Sequence, residues 1–178
     1  VSRYVEDFLL KEWRIPREKI GVVYHGVGPA ISEGSRHRPA GMSAEGDGLF
    51  LFTGGSLIPA RRLEEIIEAL SILRNKGFCQ KVVIAGESPS RSMEFYQTRI
   101  REMAKRLGVQ DQLVWVGHLP PEEMAWCFAK CQLFLMTGRA EACPNIVLEA
   151  MSHGCVCVSS TELPLPEFFC DAAIFYRA

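Results

Sequence analysis

The chain has 178 residues, a length sufficient for one domain with a sizeable core. Of these residues, 48% are hydrophobic and 23% are charged. A net charge of -1 argues against nucleic acid as a main partner, and no apolar run is long enough to predict a transmembrane segment. We expect no signal peptide, because charged residues interrupt the first segment, VSRYVEDFLL. The first residue is valine, so the chain is expected to be a piece of a longer protein.

Short apolar runs alternate with helical patterns along the whole chain. The predicted strands are 20–25, 49–54, 81–86, 113–118, 133–137 and 156–160, with a weaker candidate at 172–176. The predicted helices are 2–13, 60–76, 91–107, 120–131 and 144–153. Because most runs are continuously apolar, the strands are expected to be covered on both faces. The pattern predicts an α/β fold with a doubly wound parallel sheet of about six strands and helices on both faces.

Proline and glycine mark the ends of the predicted elements. Pro59 and Gly77 stand where the second helix is expected to start and stop. Pro144 suits the first position of a later helix, and Gly154 suits its C-terminal cap. Residues 28–48 are rich in Gly, Ser, Pro and Ala, which predicts an exposed, mobile loop within one domain.

The seven cysteines favour reduced, mostly buried thiols in a cytoplasmic protein over a disulfide framework. Their number is odd, and no CxxC pair occurs. Cys127 and Cys131 are four residues apart on one predicted helix face. Two zinc ligands on a helix could have this spacing. No matching His or Cys pair accompanies them, so we interpret them as core residues and predict no metal site.

Ligands of open parallel sheets bind beyond the carboxyl ends of the strands, so the loops after strands are the candidate sites. The first is TGGSLIPARR (53–62), in which Gly54 and Gly55 permit close backbone approach. Arg61 and Arg62 follow near a helix N-terminus, where the helix dipole does not require cations. They indicate a bound anion, and the alternative is a tight turn with two solvated arginines.

The second candidate loop, AGESPS (85–90), consists mainly of small residues. By itself this loop is a weak signal, and an ordinary turn is the favoured interpretation. No GxGxxG occurs in the chain, so the dinucleotide-binding fingerprint is absent.

The third candidate loop is TGRAEACPNIVLEAMSHG (137–154), which leads into a predicted helix. Glu141 falls before the helix and Glu149 on its second turn. A sugar-like diol would donate two hydrogen bonds to Glu149, and the N–H groups around Asn145 and Ile146 would hold a phosphate. The alternative is that Glu149 is exposed or forms a salt bridge with a nearby Arg or Lys.

The E-x7-E spacing of EACPNIVLE (141–149), followed by an EAM helix and a glycine, resembles the signature of the glycosyl transferases group 1 family. Its members are retaining glycosyltransferases of the GT-B fold. IGVVYHGV (20–27) resembles the family's V-x-Y-N-G-V stretch, and GSLIPARRLEEIIEAL (55–70) resembles its G-R-L-x-x-x-K-G segment. VVIAGE, LVWVGHLPPEEM and ELPLPEFFCDAAIFY resemble the elements that follow. The resemblance thus covers nearly the whole chain.

This resemblance implies one half of a two-domain enzyme. Family members have two Rossmann-like domains, of which the C-terminal one binds the nucleotide-sugar donor and the N-terminal one mainly binds the acceptor. Residues 1–178 resemble the C-terminal domain as a single Rossmann-like unit. The acceptor domain is therefore expected to be absent from the chain.

The resemblance also implies roles for individual residues. Glu141 would be catalytic, contacting the transferred sugar or stabilising positive charge at its anomeric carbon, and Glu149 would accept hydrogen bonds from the ribose. The other residues expected to bind the donor are Gly55, Ser56, Arg61, Arg62, Glu87, His118, Leu119, Arg139, Cys143, Pro144, Asn145, Ile146 and Val147. In this set His118 and Leu119 would lie near the base, and the backbone of 143–147 near sugar and phosphate.

Two departures from the family pattern concern the diphosphate. Arg61 matches the family's lysine that neutralises this group. Ser56 stands where the family usually has arginine, and Arg62 stands where it usually has glycine. We therefore expect Arg62 or Arg139 to assist Arg61.

The expected activity is transfer of a sugar from a UDP-, GDP- or ADP-linked donor with retention of configuration, with no cofactor or metal required. The expected acceptor is a glycan or glycolipid, bound through the N-terminal domain, as in polysaccharide biosynthesis. The expected location is the cytoplasm, with peripheral membrane association of the full-length protein as a further expectation. The alternatives are a non-catalytic nucleotide-sugar-binding or regulatory module and, more distantly, an epimerase of related fold.

Overall fold

A computed structural model describes residues 2–42, 50–88 and 90–178, apart from the side chain of Ser92. Its strands are β1 (Phe50–Gly54), β2 (Lys81–Ala85), β3 (Leu113–Gly117), β4 (Leu133–Met136), β5 (Cys157–Ser160) and β6 (Ala173–Tyr176). Its helices are α1 (Arg3–Lys11), α2 (Leu63–Asn75), α3 (Arg91–Arg106), α4 (Pro121–Lys130), α5 (Asn145–Ser152) and α6 (Leu165–Phe169).

The six strands form one parallel sheet in the order β3-β2-β1-β4-β5-β6. The chain builds the sheet outward from β1 to β3 and then crosses to β4 on the other side of β1. The strand order therefore reverses between β1 and β4. In open α/β sheets the crevice at the carboxyl ends of two such strands is where ligands bind.

Helices cover both faces of the sheet, as predicted, because successive strand residues point to opposite sides. Leu51, Val82 and Ile84 point toward α2 and α3 and share a core cluster with their apolar residues. Phe52 and Phe134 point the other way, into a second cluster with residues of α4, α5 and α6. The α/β, doubly wound architecture predicted from the sequence is confirmed.

One predicted strand is wrong, and the weak candidate is correct. Residues 20–25 form no strand, whereas β6 lies within the weak run 172–176. The segment 20–25 lies on the surface, with Val23 76% exposed, and its side chains contact helices rather than a strand. The five-residue α6 was not predicted, since it is too short to show a helical period.

The proline and glycine positions agree with the predicted boundaries to within a few residues. Gly77 and Gly154 end their helices with positive φ angles of 85° and 74°. Pro144 is the residue before α5 rather than its first residue, and Pro59 begins a short 3-10 turn ahead of α2. Of the predicted loop 28–48, residues 28–42 are largely exposed, and 43–48 lie outside the described residues.

Glu167 of α6 holds the N-terminal segment against the domain. Its carboxylate accepts hydrogen bonds from the backbone N–H groups of Arg3 and Tyr4, at 2.6 and 3.1 Å, and from the hydroxyl of Tyr24 at 2.6 Å. Burial by itself would raise the pKa of Glu167, but these hydrogen bonds lower it overall. Within the described part of the chain, no helix has both the length and the hydrophobicity that a membrane crossing requires.

Candidate nucleotide-sugar site

Two glycines allow the loops after β1 and β2 to touch. Gly55 has φ +109° and donates its N–H to the carbonyl of Ala85 at 3.1 Å. Gly86 has φ +124°, and a Cβ atom there would lie 1.9 Å from the carbonyl oxygen of Gly55. A side chain at Gly86 is therefore excluded both by its backbone angle and by space. The contact fixes the loop that carries Ser56, whose side chain is exposed.

The loops after β1 and β4 are tied together at the reversal of strand order. The hydroxyl of Thr137 donates to the carbonyl of Arg61 at 2.5 Å, and the N–H of Arg139 donates to the carbonyl of Ala60 at 2.8 Å. The short turn that carries Arg61 is thereby held against the loop that carries Glu141. Both residues lie at the crevice where the fold predicts a ligand.

Arg61 and Glu141 form a partly buried ion pair at this crevice. Nη1 of Arg61 lies 3.0 Å from Oε1 of Glu141, and the two side chains are 18% and 13% exposed. The same nitrogen donates to the sulfur of Met136 at 3.4 Å. Burial raises the pKa of the Glu141 carboxyl, and the guanidinium of Arg61 opposes this rise.

The ion pair lies between two glycines. A Cβ atom at Gly55 would be 2.9 Å from Nη2 of Arg61, and one at Gly138 would be 3.0 Å from Oε1 of Glu141. A methyl group at either position would press on one partner of the pair. The sequence prediction included Gly55 but missed Gly138. The one sequence feature that indicates a role for Gly138 is its position between β4 and Glu141.

Arg62 and Arg139, which we predicted as helpers of Arg61, both contact Glu65 on α2. Nε of Arg62 lies 3.0 Å and Nη2 of Arg139 lies 3.6 Å from Oε1 of this glutamate. The hydroxyl of Tyr176 donates to its other oxygen at 2.6 Å. Both guanidinium groups thus have a carboxylate partner in this structure, and their role at a diphosphate stays a prediction.

The N-terminus of α5 presents backbone rather than side-chain groups. The side chains of Ile146 and Val147 are buried, and Pro144 precedes the helix with no side-chain cap. The N–H of Val147 donates to the carbonyl of Pro144 at 3.0 Å, so it is already satisfied. Asn145 and Ile146 are the first two residues of α5, so no helix carbonyl accepts their N–H groups. These two N–H groups are therefore suited to binding an anion.

Two further side chains approach the first residue of α5. Nδ1 of His25 lies 3.0 Å from Oδ1 of Asn145, and the thiol of Cys143 donates to the same oxygen at 3.9 Å. The contact with His25 was not predicted, because it joins residues 120 positions apart in the sequence.

A cavity of about 390 Å³ opens beside the second turn of α5. It is lined by Val27, Gly28, Pro29, Ile31, His118, Leu119, Pro121, Met124, Ala125, Phe128, Glu149, Ser152 and His153. The structure thus brings together Glu149, His118 and Leu119, which the sequence places on two separate elements. Glu87 lies outside this lining, near Gly117 at the end of β3.

Glu149 is partly buried at the wall of this cavity. Its carboxylate forms no hydrogen bond or ion pair with the residues that the structure describes. A carboxylate in such surroundings is unfavourable unless a ligand or water donates hydrogen bonds to it. Glu149 is thus neither fully exposed nor paired with any Arg or Lys in the described part of the chain, which were the two alternative interpretations.

His153 also lines the cavity and was not predicted. Its Nδ1 lies 2.9 Å from the carbonyl oxygen of Glu149, so this nitrogen carries the hydrogen and donates. Its ring stacks on Phe128 with centroids 5.4 Å apart. His153, the residue that caps α5, follows Glu149 by four positions, so the two side chains lie on the same side of the helix. This spacing can be read from the sequence.

The parallel, doubly wound sheet identifies the chain as a Rossmann-like α/β protein. Residues 36–175 match the family model for glycosyl transferases group 1. This match covers most of the chain, and the chain belongs to that family.

The similar proteins found by comparison agree with this assignment. One curated relative is the uncharacterized glycosyltransferase YqgM of Bacillus subtilis (strain 168), 23% identical over 125 residues that make up 70% of this chain and 32% of YqgM. A glycosyltransferase from Rickettsia africae shares the fold with a TM-score of 0.74 and 14% identity, over 99% of this chain and 48% of that one. Anabaena Alr3699/HepE in complex with UDP has a TM-score of 0.63 and 18% identity, over 74% and 35% of the two chains.

Proposed function

We propose that this chain is the part of a retaining glycosyltransferase that binds the nucleotide-sugar donor. The observation that carries the proposal is the Glu149 carboxylate, which faces a 390 Å³ cavity and has no partner among the described residues. A ribose diol supplies two adjacent hydroxyl donors for such a carboxylate. Family membership supports a transferase, and the cavity supports a nucleotide as its ligand.

The donor would lie along α5, with its diphosphate at the helix N-terminus. Asn145 and Glu149 are four residues apart, which corresponds to about 6 Å along a helix. That spacing lets one ligand place a phosphate on the N–H groups of Asn145 and Ile146 and its ribose on Glu149. The base would then occupy the cavity beside His118 and Leu119.

We name UDP as the first nucleotide to test. HepE, which has the same fold, was solved in complex with UDP, and this chain is 18% identical to it. Identity this low supports the fold alone, so GDP- and ADP-linked donors stay in the panel. No metal or other cofactor is part of the proposal.

Arg61 and Glu141 would act on the transferred group. As the bond to the diphosphate breaks, negative charge grows on the leaving group and positive charge on the anomeric carbon. Arg61 would move from Glu141 toward the diphosphate, and the freed carboxylate would face the sugar. Interactions that become stronger in the transition state lower the activation barrier of the transfer. Interactions that are equally strong before the reaction would only tighten donor binding.

We propose that the acceptor site lies outside these residues. The chain spans 48% of the Rickettsia enzyme, although that enzyme matches 99% of this chain. We propose that a glycan or glycolipid acceptor binds to the other half of the whole protein, and that this chain alone binds the donor without transferring sugar.

Isothermal titration calorimetry with UDP, GDP and ADP, followed by the corresponding sugar nucleotides, tests the proposal. One nucleoside diphosphate is expected to bind with micromolar affinity, and Glu149→Ala is expected to weaken it. A matched control is Glu162→Ala, because Glu162 lies outside the cavity lining. Absence of binding by all three nucleotides would refute the proposed function.

A further inference from the structure

Two thiols meet at the C-terminal ends of α4 and α5. Cys131 follows α4 directly, and Cys155 follows Gly154, which caps α5. Both thiols donate to one backbone oxygen, the carbonyl of Phe128, at 3.4 Å from Cys131 and 3.1 Å from Cys155. The two sulfur atoms are therefore neighbours, although 24 positions separate them in the sequence.

This pair differs from the other cysteines because its two thiols share one hydrogen-bond acceptor. Cys143 is also partly exposed, but its thiol donates to Asn145 instead. Cys131 and Cys155 are partly exposed, so a small oxidant reaches them, whereas Cys127 and Cys157 are buried. Cys79 and Cys170 are exposed, and neither has a hydrogen-bonded contact with another thiol among the described residues. The hydrogen bond with Cys131 and, after it, burial raise the pKa of Cys155. Either sulfur can react first, because both thiols are partly exposed and the resulting pairing is the same.

We propose that Cys131 and Cys155 form an intrachain disulfide when the protein meets a peroxide. Cys131 loses its proton and its sulfur attacks one peroxide oxygen. The O–O bond breaks, and the departing hydroxide takes up a proton and leaves as water, which gives a sulfenic acid on Cys131. The sulfur of Cys155 then attacks that of Cys131. The S–S bond forms as the S–O bond breaks, and a second water leaves with the proton of Cys155. Two thiols are oxidised, and one hydrogen peroxide is reduced to two waters.

The bridge would connect the C-terminal ends of two helices that both line the cavity. Met124 and Ala125 of α4 and Glu149 and Ser152 of α5 belong to this lining. The disulfide would close a loop that also contains β4 and Glu141. Oxidation would thus constrain the segment that carries both glutamates, and this holds whether or not the proposed function is correct.

Peptide mapping of the oxidised chain tests the pairing. The chain is treated with hydrogen peroxide, its remaining thiols are blocked with N-ethylmaleimide, and it is digested with trypsin without reduction. Cleavage after Lys130, Arg139 and Arg177 places Cys131 in peptide 131–139 and Cys155 in peptide 140–177. We expect a cross-linked pair of these peptides that disappears on reduction, with fragment ions that locate the second sulfur at Cys155.

The control variants are Cys155→Ser, which should abolish the cross-link, and Cys157→Ala, which should retain it. The wild-type map decides the question even if a variant fails to fold. Peptide 131–139 recovered with N-ethylmaleimide on Cys131, or linked instead to Cys143, Cys157 or Cys170, would overturn the proposal.

Discussion

The guanidinium of Arg61 lies 3.0 Å from the carboxylate of Glu141, so the candidate diphosphate-binding cation and the candidate catalytic carboxylate neutralise each other in this structure. Both side chains are largely buried, and backbone contacts between their loops hold them in place. A diphosphate that takes over Arg61 would leave Glu141 as a free, partly buried carboxylate. In the proposed function, the pair would therefore link binding of the leaving group to exposure of the Glu141 charge.

Arg61→Ala should weaken binding of the nucleoside diphosphate by about 1.5–3 kcal/mol, because a charge-assisted contact is lost. Calorimetry at moderate salt measures this effect. Arg62→Ala is measured beside it and tests the predicted assistance from Arg62, which is adjacent in sequence but contacts Glu65. If only Arg62→Ala weakened nucleoside diphosphate binding, the assignment of the diphosphate contact to Arg61 would be wrong.

The Glu141 carboxyl should titrate at a higher pH than an ordinary glutamate, because burial raises its pKa. Arg61→Ala should raise the pKa further, since Arg61 opposes the shift. Carbon-13 NMR of the carboxyl across an acid titration measures both values. With the pKa raised in the folded state, the contribution to stability is present below the unfolded pKa and is lost as pH rises through the folded pKa. A titration at or below the ordinary range would contradict this account of the pair.

Gly138→Ala should disturb the ion pair and destabilise the domain by about 1–3 kcal/mol, as expected for an extra methyl group in a packed site. Its Cβ would lie 3.0 Å from Oε1 of Glu141 and 3.3 Å from Cε of Met136. Urea unfolding gives the free energy. Gly26→Ala is the control, because a Cβ there meets nothing within 4 Å. Equal stability of the two variants would show that Gly138 can gain a methyl group without effect.

Glu167→Gln should reduce the free energy of unfolding by roughly 1 kcal/mol at neutral pH, because charged hydrogen bonds to Arg3, Tyr4 and Tyr24 are weakened. The lowered pKa of Glu167 means that its contribution is present above the unfolded pKa and is lost as pH falls through the folded pKa. Urea unfolding of both proteins at several pH values should therefore show the difference shrinking in acid. A difference that grows as the pH falls would refute the assignment.

The sequence predicted the sheet because its strands are buried on both faces and therefore apolar throughout. The same signal failed at 20–25, where an apolar run is exposed and pairs with no strand. Strand formation needs a partner edge, and composition alone does not show whether one is available. The run 172–176 had a weaker pattern but lies beside β5 and pairs with it.

The site was predictable where it depends on spacing along one element. Glu141 in a loop and Glu149 on the second turn of α5 followed from the position of Pro144. The contacts of Arg139 and Tyr176 with Glu65 depend on how α2 lies against β4 and β6, which no local pattern encodes. The same holds for His25, which reaches Asn145 from a distant segment.

The most direct test compares two glutamine variants by calorimetry, each with a nucleoside diphosphate and its sugar nucleotide. Glu149→Gln should weaken both ligands similarly, on the order of 1–3 kcal/mol, because both contain the ribose. Glu141→Gln should leave the nucleoside diphosphate unaffected and remove part of the extra affinity that the sugar confers. If Glu149→Gln binds the nucleoside diphosphate normally while Glu141→Gln does not, the assignment of the ribose to Glu149 and the sugar to Glu141 is contradicted.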